Sequence, residues 1–412
     1  MARSVAAHRQ AVQELLSGLA GHGSPGRARN TEQLPLVAAL GRVLAVDVRA
    51  PRSLPPFANS QMDGFAVRAA DLAARAANDG GAELSVAAPV PAGAAPAPLL
   101  PGTAAPIMTG AMMPEGADAV VPIEQAVPDA FPPPGLDTTV RLPLTEQGTF
   151  VRDAGSDIAE GGVALRAGTA LGPGQLGLLA ALGLTAVEVR KPPRVLLATT
   201  GDEVVEPGQP LPPGKIYDSN GTLLEAVMLQ AGLEVTRTGI SGDDPAKLAE
   251  LLRNHAGTVE LIVTTGGVSK GAYEVVRQAM DKQPVEFVSV AMQPGGPQGI
   301  GTFDDVPFLG FPGNPVSCLV SFHMFLRPAL AAIHAIPAPP PPVQARLTGP
   351  LGSPAGKHQV RRGTLLPGGK VRLEGGAGSH LIHALANSNA LVHVPEDVTE
   401  LDAGAEVEVW ML

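Results

Sequence analysis

The sequence predicts a multidomain protein of mixed α/β and β architecture. It has a central three-layer α/β/α domain, a β-rich domain inserted near the N-terminus, and a small C-terminal β-barrel or sandwich. Three observations carry this. The 412 residues exceed one ordinary domain, and with 45 % hydrophobic and 17 % charged residues most of the chain can bury a core. The 49 glycines and 42 prolines supply turns without a collagen period, which points to many short strands joined by loops. From Lys191 onward, apolar runs of strand length alternate with helical periods, the pattern of a parallel sheet covered by helices on both faces.

Taken in order, Val5, Val12, Leu15, Leu16 and Leu19 recur at helical spacing, so residues 4–19 read as an amphipathic helix. A short helix is expected over 36–40, with Pro35 in its first turn and Gly41 past its end. Between about 50 and 145, runs such as Phe65-Ala66-Val67, Leu84-Ser85-Val86 and Ala119-Val120-Val121 are punctuated by Pro, Gly and Asp, as in a small β domain. In the α/β part, Val195-Leu196-Leu197-Ala198 begins the strands. A helix is expected over 219–231 with Ser219 as its N-cap, and a strand over 235–238. Asp244 and Pro245 open the next helix, and Leu261-Ile262-Val263 is the next strand. A helix over about 273–282, strands over 285–290 and 308–311, and a long helix from Pro315 to about residue 333 complete the domain, with Asn314 as the last cap. A proline-rich linker over 336–342 precedes short alternating segments that fill 343–412.

Composition also excludes classes of function. A net charge of −10 and 3 % aromatic residues argue against nucleic acid or an anionic membrane as the main partner. One cysteine, Cys318, rules out an intramolecular disulfide, fits a reducing compartment and falls where a core residue of the last helix would be. The uncharged stretches at 84–114 and 167–187 are broken by Pro and Gly, so neither reads as a transmembrane helix, and a cytoplasmic location is expected.

In an open parallel sheet, ligands sit at the carboxyl ends of the strands. Three loops fall there: Thr199-Thr200-Gly201-Asp202-Glu203, Thr264-Thr265-Gly266-Gly267-Val268-Ser269-Lys270-Gly271, and Phe311-Pro312-Gly313-Asn314-Pro315-Val316-Ser317. Glycines let backbone N–H groups approach a phosphate, and helix N-termini favour anions. One such loop is an ordinary βα turn; three on one edge suggest a phosphate-bearing ligand. Asp202, Glu203, Asp243 and Glu274 follow these strands, and carboxylates beside a phosphate require a bridging cation, which points to Mg2+. Asp244 reads instead as a helix cap. Composition alone makes surface turns of the run at 55–65 and of Arg361-Arg362-Gly363 and Gly378-Ser379-His380, although the last two offer donors to an oxyanion.

At these residues the sequence resembles the molybdopterin molybdenumtransferases, the MoeA or gephyrin E-domain family. The matching runs are Pro56-Phe57-Ala58-Asn59-Ser60-Gln61-Met62-Asp63-Gly64-Phe65-Ala66-Val67, Ile107-Met108-Thr109-Gly110-Ala111, Gly116-Ala117-Asp118-Ala119-Val120-Val121, Thr200-Gly201-Asp202-Glu203, Ile216-Tyr217-Asp218-Ser219-Asn220, Gly266-Gly267-Val268-Ser269 and Pro312-Gly313-Asn314-Pro315-Val316-Ser317. They lie in family order and span nearly the whole chain.

The resemblance implies a homodimer of four-part chains. The parts are 1–48 with 146–188, the inserted 49–145, a molybdopterin-binding domain at 189–335 and a C-terminal β-barrel at 343–412. It implies insertion of molybdenum from molybdate into adenylylated molybdopterin, with release of AMP and a need for Mg2+. Transient contact with the adenylylating enzyme and with recipient molybdoenzymes would follow. Carried over position by position, Asp63, Thr109, Glu203 and Asp243 are activity residues, and Glu203, Asp243 and Glu274 are metal candidates. Thr200, Gly201, Asp202, Gly266, Gly267, Ser269, Gln293, Asn314, Pro315 and Ser317 fall in the substrate-binding loops, with Arg362 and Ser379 near the molybdate position. Many members read Lys-Pro-Gly-Lys-Pro where this chain has Gln293-Pro294-Gly295-Gly296-Pro297, and Glu274 replaces the usual aspartate. Two alternatives share the resemblance: the preceding adenylylation step, which the α/β part alone resembles, and a non-catalytic dimeric scaffold.

Overall fold

The computed structural model describes residues 2–20, 30–76, 81–133, 138–240, 242–269 and 274–412. Lys270, Gly271 and the start of the helix expected over 273–282 lie outside the described residues. The chain forms two compact units, one of residues 1–45, 168–172 and 187–412, the other of 46–167 and 173–186.

The first unit is built on a six-stranded sheet. Its spatial order is Glu234–Arg237, Arg194–Thr199, Leu261–Thr265, Val306–Phe311, Pro297–Phe303, Val285–Ser289. The first four strands are parallel, as expected. The Pro297–Phe303 strand is antiparallel to both neighbours, so the sheet is mixed rather than purely parallel. Its hairpin to the next strand turns at Asp304 and Asp305, with φ of 44° and 67°. Two left-handed residues match the twist that a tight hairpin needs, and aspartate tolerates that conformation better than most side chains.

Successive side chains of a strand face opposite sides of the sheet. Val195 and Leu197 accordingly pack with Leu224 and Met228 of the Ser219–Gln230 helix and with the long helix at 315–332. Leu196 and Ala198 pack on the opposite side with Leu248 and Leu252 of the Pro245–Ala256 helix and Val276 of the Val275–Ala279 helix. This is the predicted three-layer arrangement. The N-cap of the Ser219–Gln230 helix is Asp218, not Ser219: its carboxylate accepts the Gly221 N–H at 2.8 Å. Asp244 caps its helix as expected. The short helix expected over 36–40 is a single 3-10 turn, Val37–Ala39, and the strand Thr31–Pro35 precedes it.

The helix Pro315–Ala332 is long and apolar enough to cross a membrane, but 72 % of it is buried inside the unit, as befits a core helix. It contains a π segment, Phe322–Leu326, just before Pro328. Proline has no N–H for the carbonyl four residues earlier. That carbonyl, on Met324, instead accepts the Arg9 guanidinium of the N-terminal helix Val5–Leu16 at 3.2 Å.

The C-terminal region closes a five-stranded barrel. Around the ring, His358–Leu366 pairs with Lys370–Leu373, then Val343–Leu347, Glu406–Met411 and Ala390–Val394, which returns to His358–Leu366. Val371, Val392, Val394 and Val409 fill its interior. Met292–Gln293 joins this barrel in parallel register beside His358 and Gln359, so the segment leaving the sheet's edge is tied to the barrel wall.

The second unit holds a five-stranded sheet in the order Ala119–Pro122, Gly64–Val67, Thr103–Ile107, Gly81–Val86, Thr139–Pro143. It is buried on both faces, by Phe65, Val67 and Leu84 on one side and Ala66, Ile107 and Val120 on the other.

Candidate functional site

A cleft of about 1270 Å³ opens over the carboxyl ends of the parallel strands and against the barrel. All three glycine loops line it. Thr199, Thr200, Gly201 and Glu203 lie at the end of the Arg194–Thr199 strand, Gly266, Gly267, Val268 and Ser269 follow Leu261–Thr265, and Pro312 to Pro315 with Ser317 follow Val306–Phe311. Asp243 and Glu274 line it too, and Ala377 to His380 with Lys357 come from the barrel side.

Local chemistry explains the shape of these loops. Gly266 and Gly267 have φ of 91° and 62°, and a Cβ on Gly267 would stand 2.9 Å from the Val276 side chain and 3.0 Å from its backbone nitrogen. Only glycine fits a left-handed turn this close to the next helix. Asn314 occupies the N-cap position of the long helix, yet its side chain makes no capping hydrogen bond. The loop is fixed instead from below: the Cys318 thiol donates to the Pro312 carbonyl at 2.8 Å and lies 3.0 Å from Thr265 Oγ1. Burial pushes that thiol up to about 12. Asn220 Nδ2 donates to the Gly313 carbonyl at 2.6 Å. Asn220 Oδ1 and Thr199 Oγ1, both in lining residues, are buried and find no hydrogen-bond partner among the described residues.

The structure sorts the expected site residues. Thr200, Gly201, Glu203, Asp243, Gly266, Gly267, Ser269, Glu274, Gln293, Asn314, Pro315, Ser317 and Ser379 all line the cleft. Asp202 is not among the lining residues: its Oδ1 accepts the Asp243 N–H at 2.9 Å, so it holds the neighbouring loop rather than facing ligand. Arg362 does not line the cleft either. It is 1 % exposed beneath the barrel loop, donates from Nη2 to the Gly376 carbonyl, and leaves Nε and Nη1 without a partner among the described residues. Burial, then the adjacent Arg361, pulls its pKa below the usual arginine value. Gln293 Oε1 accepts from Gln359 Nε2 at 2.8 Å, which turns its amide toward the barrel wall.

The three metal candidates share the cleft, but among the described residues no group of three or more His, Cys, Asp or Glu could hold a metal ion alone. Mg2+ keeps waters and takes one or two carboxylates plus substrate phosphates. The donor set fits that mode and not an all-protein cage.

Asp63 and Thr109 belong to the second unit and form their own pair. Asp63 Oδ1 accepts both the Thr109 N–H at 2.6 Å and its hydroxyl at 2.7 Å. These two bonds, the backbone one first, hold the Asp63 carboxyl below its usual pKa. The 55–65 run, which composition alone makes a surface turn, is knit to this pair: the Gly110 N–H donates to the Ser60 carbonyl at 2.8 Å.

Sequence reasoning places Thr199 in the first of the ligand-edge loops and misses Asn220 and Lys357 as cleft residues. Asn220 stood within a matching run, one residue into a helix, where its side chain reads as an ordinary turn group. Lys357 sits in a Gly-Lys turn that carries no pattern.

Three sequence profiles match the chain. They are described as the MoeA N-terminal region (domains I and II) over residues 3–183, a probable molybdopterin binding domain over 197–332, and the MoeA C-terminal region (domain IV) over 344–412. Molybdopterin molybdenumtransferase 2 of Mycobacterium tuberculosis is 43 % identical over 420 residues, covering 100 % of both chains. Molybdopterin molybdenumtransferase of Haemophilus influenzae is 34 % identical over 387 residues, covering 92 % of this chain and 93 % of its own. Among solved structures, a molybdopterin biosynthesis MoeA protein from Pyrococcus horikoshii OT3 superposes with a TM-score of 0.83 at 27 % identity, covering 100 % of both chains.

Proposed function

This chain belongs to the MoeA family, and on that premise we propose that its cleft carries out the molybdenum-insertion step of molybdenum cofactor biosynthesis. The activity is that of a molybdopterin molybdenumtransferase. The substrates are adenylylated molybdopterin and molybdate, and AMP is released. One observation carries the reading: three glycine loops and three carboxylates at the sheet's carboxyl edge face a barrel loop bearing Ser379 across a single cleft.

The chain's own groups divide the work. The backbone N–H of Gly267 and the N-termini of the helices beginning at Ser219 and Pro315 orient the phosphates, while the Gly266 N–H ties its loop to the Phe311 carbonyl at 3.1 Å. The uncommitted Asn314 amide and the orphaned Asn220 and Thr199 oxygens supply polar contacts to the bound ligand. Glu203 and Asp243, with Glu274, would hold Mg2+ beside the phosphates. That ion supplies charge neutralisation for the departing AMP. On the barrel side, the Ser379 hydroxyl and the loop above Arg362 receive the oxyanion, where a cation behind hydrogen-bond donors favours a doubly charged tetrahedron. Asp63 and Thr109 carry over as activity residues, which we assign to a homodimer. We keep the four-part division into 1–48 with 146–188, 49–145, 189–335 and 343–412.

The test is AMP release from adenylylated molybdopterin by purified protein with Mg2+ and molybdate. Molybdate-dependent release that disappears in Glu203→Ala supports the reading. Ligand binding without release sinks it in favour of a scaffold.

A further inference from the structure

Asp202 and Glu203 are consecutive, yet only Glu203 lines the cleft. Asp202 turns the other way. Its Oδ1 accepts the backbone N–H of Asp243 at 2.9 Å, bridging two loops that are 41 residues apart in sequence. Its carbonyl accepts the Lys215 ammonium. The approach leaves no room beside it: a Cβ on Gly242 would stand 2.5 Å from the same Oδ1. On the far side, Asp244 caps the Pro245–Ala256 helix through the N–H groups of Ala246 and Lys247. Asp243 is therefore pinned from both ends, by Asp202 before it and by the helix cap after it.

We propose that Asp202 is a positioning residue: through the Asp243 N–H it sets where the Asp243 carboxylate stands relative to Glu203, and so makes the pair competent to share one divalent cation with the substrate's phosphates. The role of the pair rests on the function proposed above; the tether itself does not. An exposed acidic side chain that merely solvates a loop would need neither the aimed Oδ1 nor a glycine opposite it. A carboxylate that accepts a backbone N–H makes a charge-assisted hydrogen bond, stronger than a neutral one.

Asp202→Ala removes the acceptor, Asp202→Asn keeps an amide oxygen in the same place, and Gly242→Ala crowds that oxygen out from the other side. Three readouts separate the possibilities. Hydrogen exchange of the peptide covering 242–248 reports the tether without any chemistry. Binding of Mn2+ in the presence of inorganic pyrophosphate, followed by electron paramagnetic resonance, reports the cation pair. Molybdate-dependent AMP release against Mg2+ concentration reports function.

In Asp202→Ala and Gly242→Ala we expect faster exchange at 242–248 and a half-saturating Mn2+ and Mg2+ concentration raised about tenfold, while Asp202→Asn stays within about threefold of wild type. Melting temperatures should not move, because the bond lies at an exposed loop. Unchanged exchange and cation affinity in Asp202→Ala overturn the proposal, as does an Asp202→Asn variant as impaired as the alanine. Should the wild-type protein release no AMP, the function reading fails, and exchange and Mn2+ binding still decide on Asp202.

Discussion

The cleft has two walls, and they are held up by different means. The α/β wall stands on strand ends, glycines and helix caps, and two of the carboxylates that face the ligand, Glu203 and Asp243, are exposed and carry none of the fold. The barrel wall stands on buried cations. Arg361 and Arg362 donate to the carbonyls of Gly375 and Gly376 beneath the loop that carries Ser379. Nearby, His393 packs on Trp410 at 4.2 Å and hydrogen-bonds His358 at 3.0 Å, and Arg9 lies over the same indole. On the first wall, function and stability are separable; on the second they are the same atoms.

Acid should act most on the barrel, through His393, and on the two helices that carry His8 and His323. Burial holds His8 down to about 4 and His323 and His393 down to about 3, against an ordinary 6.5. The folded pKa values lie below the unfolded ones, so this stability is present above about pH 6.5 and is lost as pH falls toward 4 and then 3. Each histidine contributes a slope of roughly 1.4 kcal/mol per pH unit inside its window. Denaturant midpoints measured from pH 7 to 4 should drop steeply. Hydrogen exchange at pH 4.5 should loosen the barrel strands and the long helix before the Arg194–Thr199 and Leu261–Thr265 strands. Uniform loosening would break the comparison.

Next in size is Glu203→Ala, which should cut AMP release about a hundredfold or more. Its melting temperature should stay at the wild-type value. Arg362→Ala should move both quantities: about 2 kcal/mol of stability from the one lost charged hydrogen bond to the Gly376 carbonyl, with a raised KM for molybdate. An Arg362→Ala protein of unchanged stability would make the barrel wall no different from the other. The smallest effect belongs to Cys318. Its thiol, pushed up to about 12 and enclosed, should resist alkylation at pH 8 in the native protein, and Cys318→Ala should cost about 1 kcal/mol. Rapid labelling would show that the 312–315 loop is not pinned from below.

Much of the α/β wall was legible because its signals are local. Apolar runs, the Asp244-Pro245 cap and glycines after strands each announce themselves within a few residues. The antiparallel Pro297–Phe303 strand was not, because Gly299 and Gly301 dilute its strand pattern and its turn is Asp304-Asp305 rather than Asn-Gly. The N-cap was displaced by one position since Asp218 and Ser219 are both good caps, and only the Arg237 partner at 2.8 Å shows which is buried. Sequence places Asp202 among the ligand contacts because it shows adjacency to Glu203 and not direction. The barrel's share was the least readable. Lys357 and the buried Arg362 acquire meaning only when strands far apart in sequence close a ring.

The contact between Arg9 and the Met324 carbonyl spans 315 positions. A ribosome would make the donor 315 positions before its acceptor. The N-terminal helix must therefore wait through most of synthesis, with the apolar face of Val12 and Leu16 uncovered, until the long helix emerges to receive it. The interruption at Pro328 thus carries an order of synthesis: the carbonyl it frees in the last helix of the α/β domain is answered by a helix made far earlier.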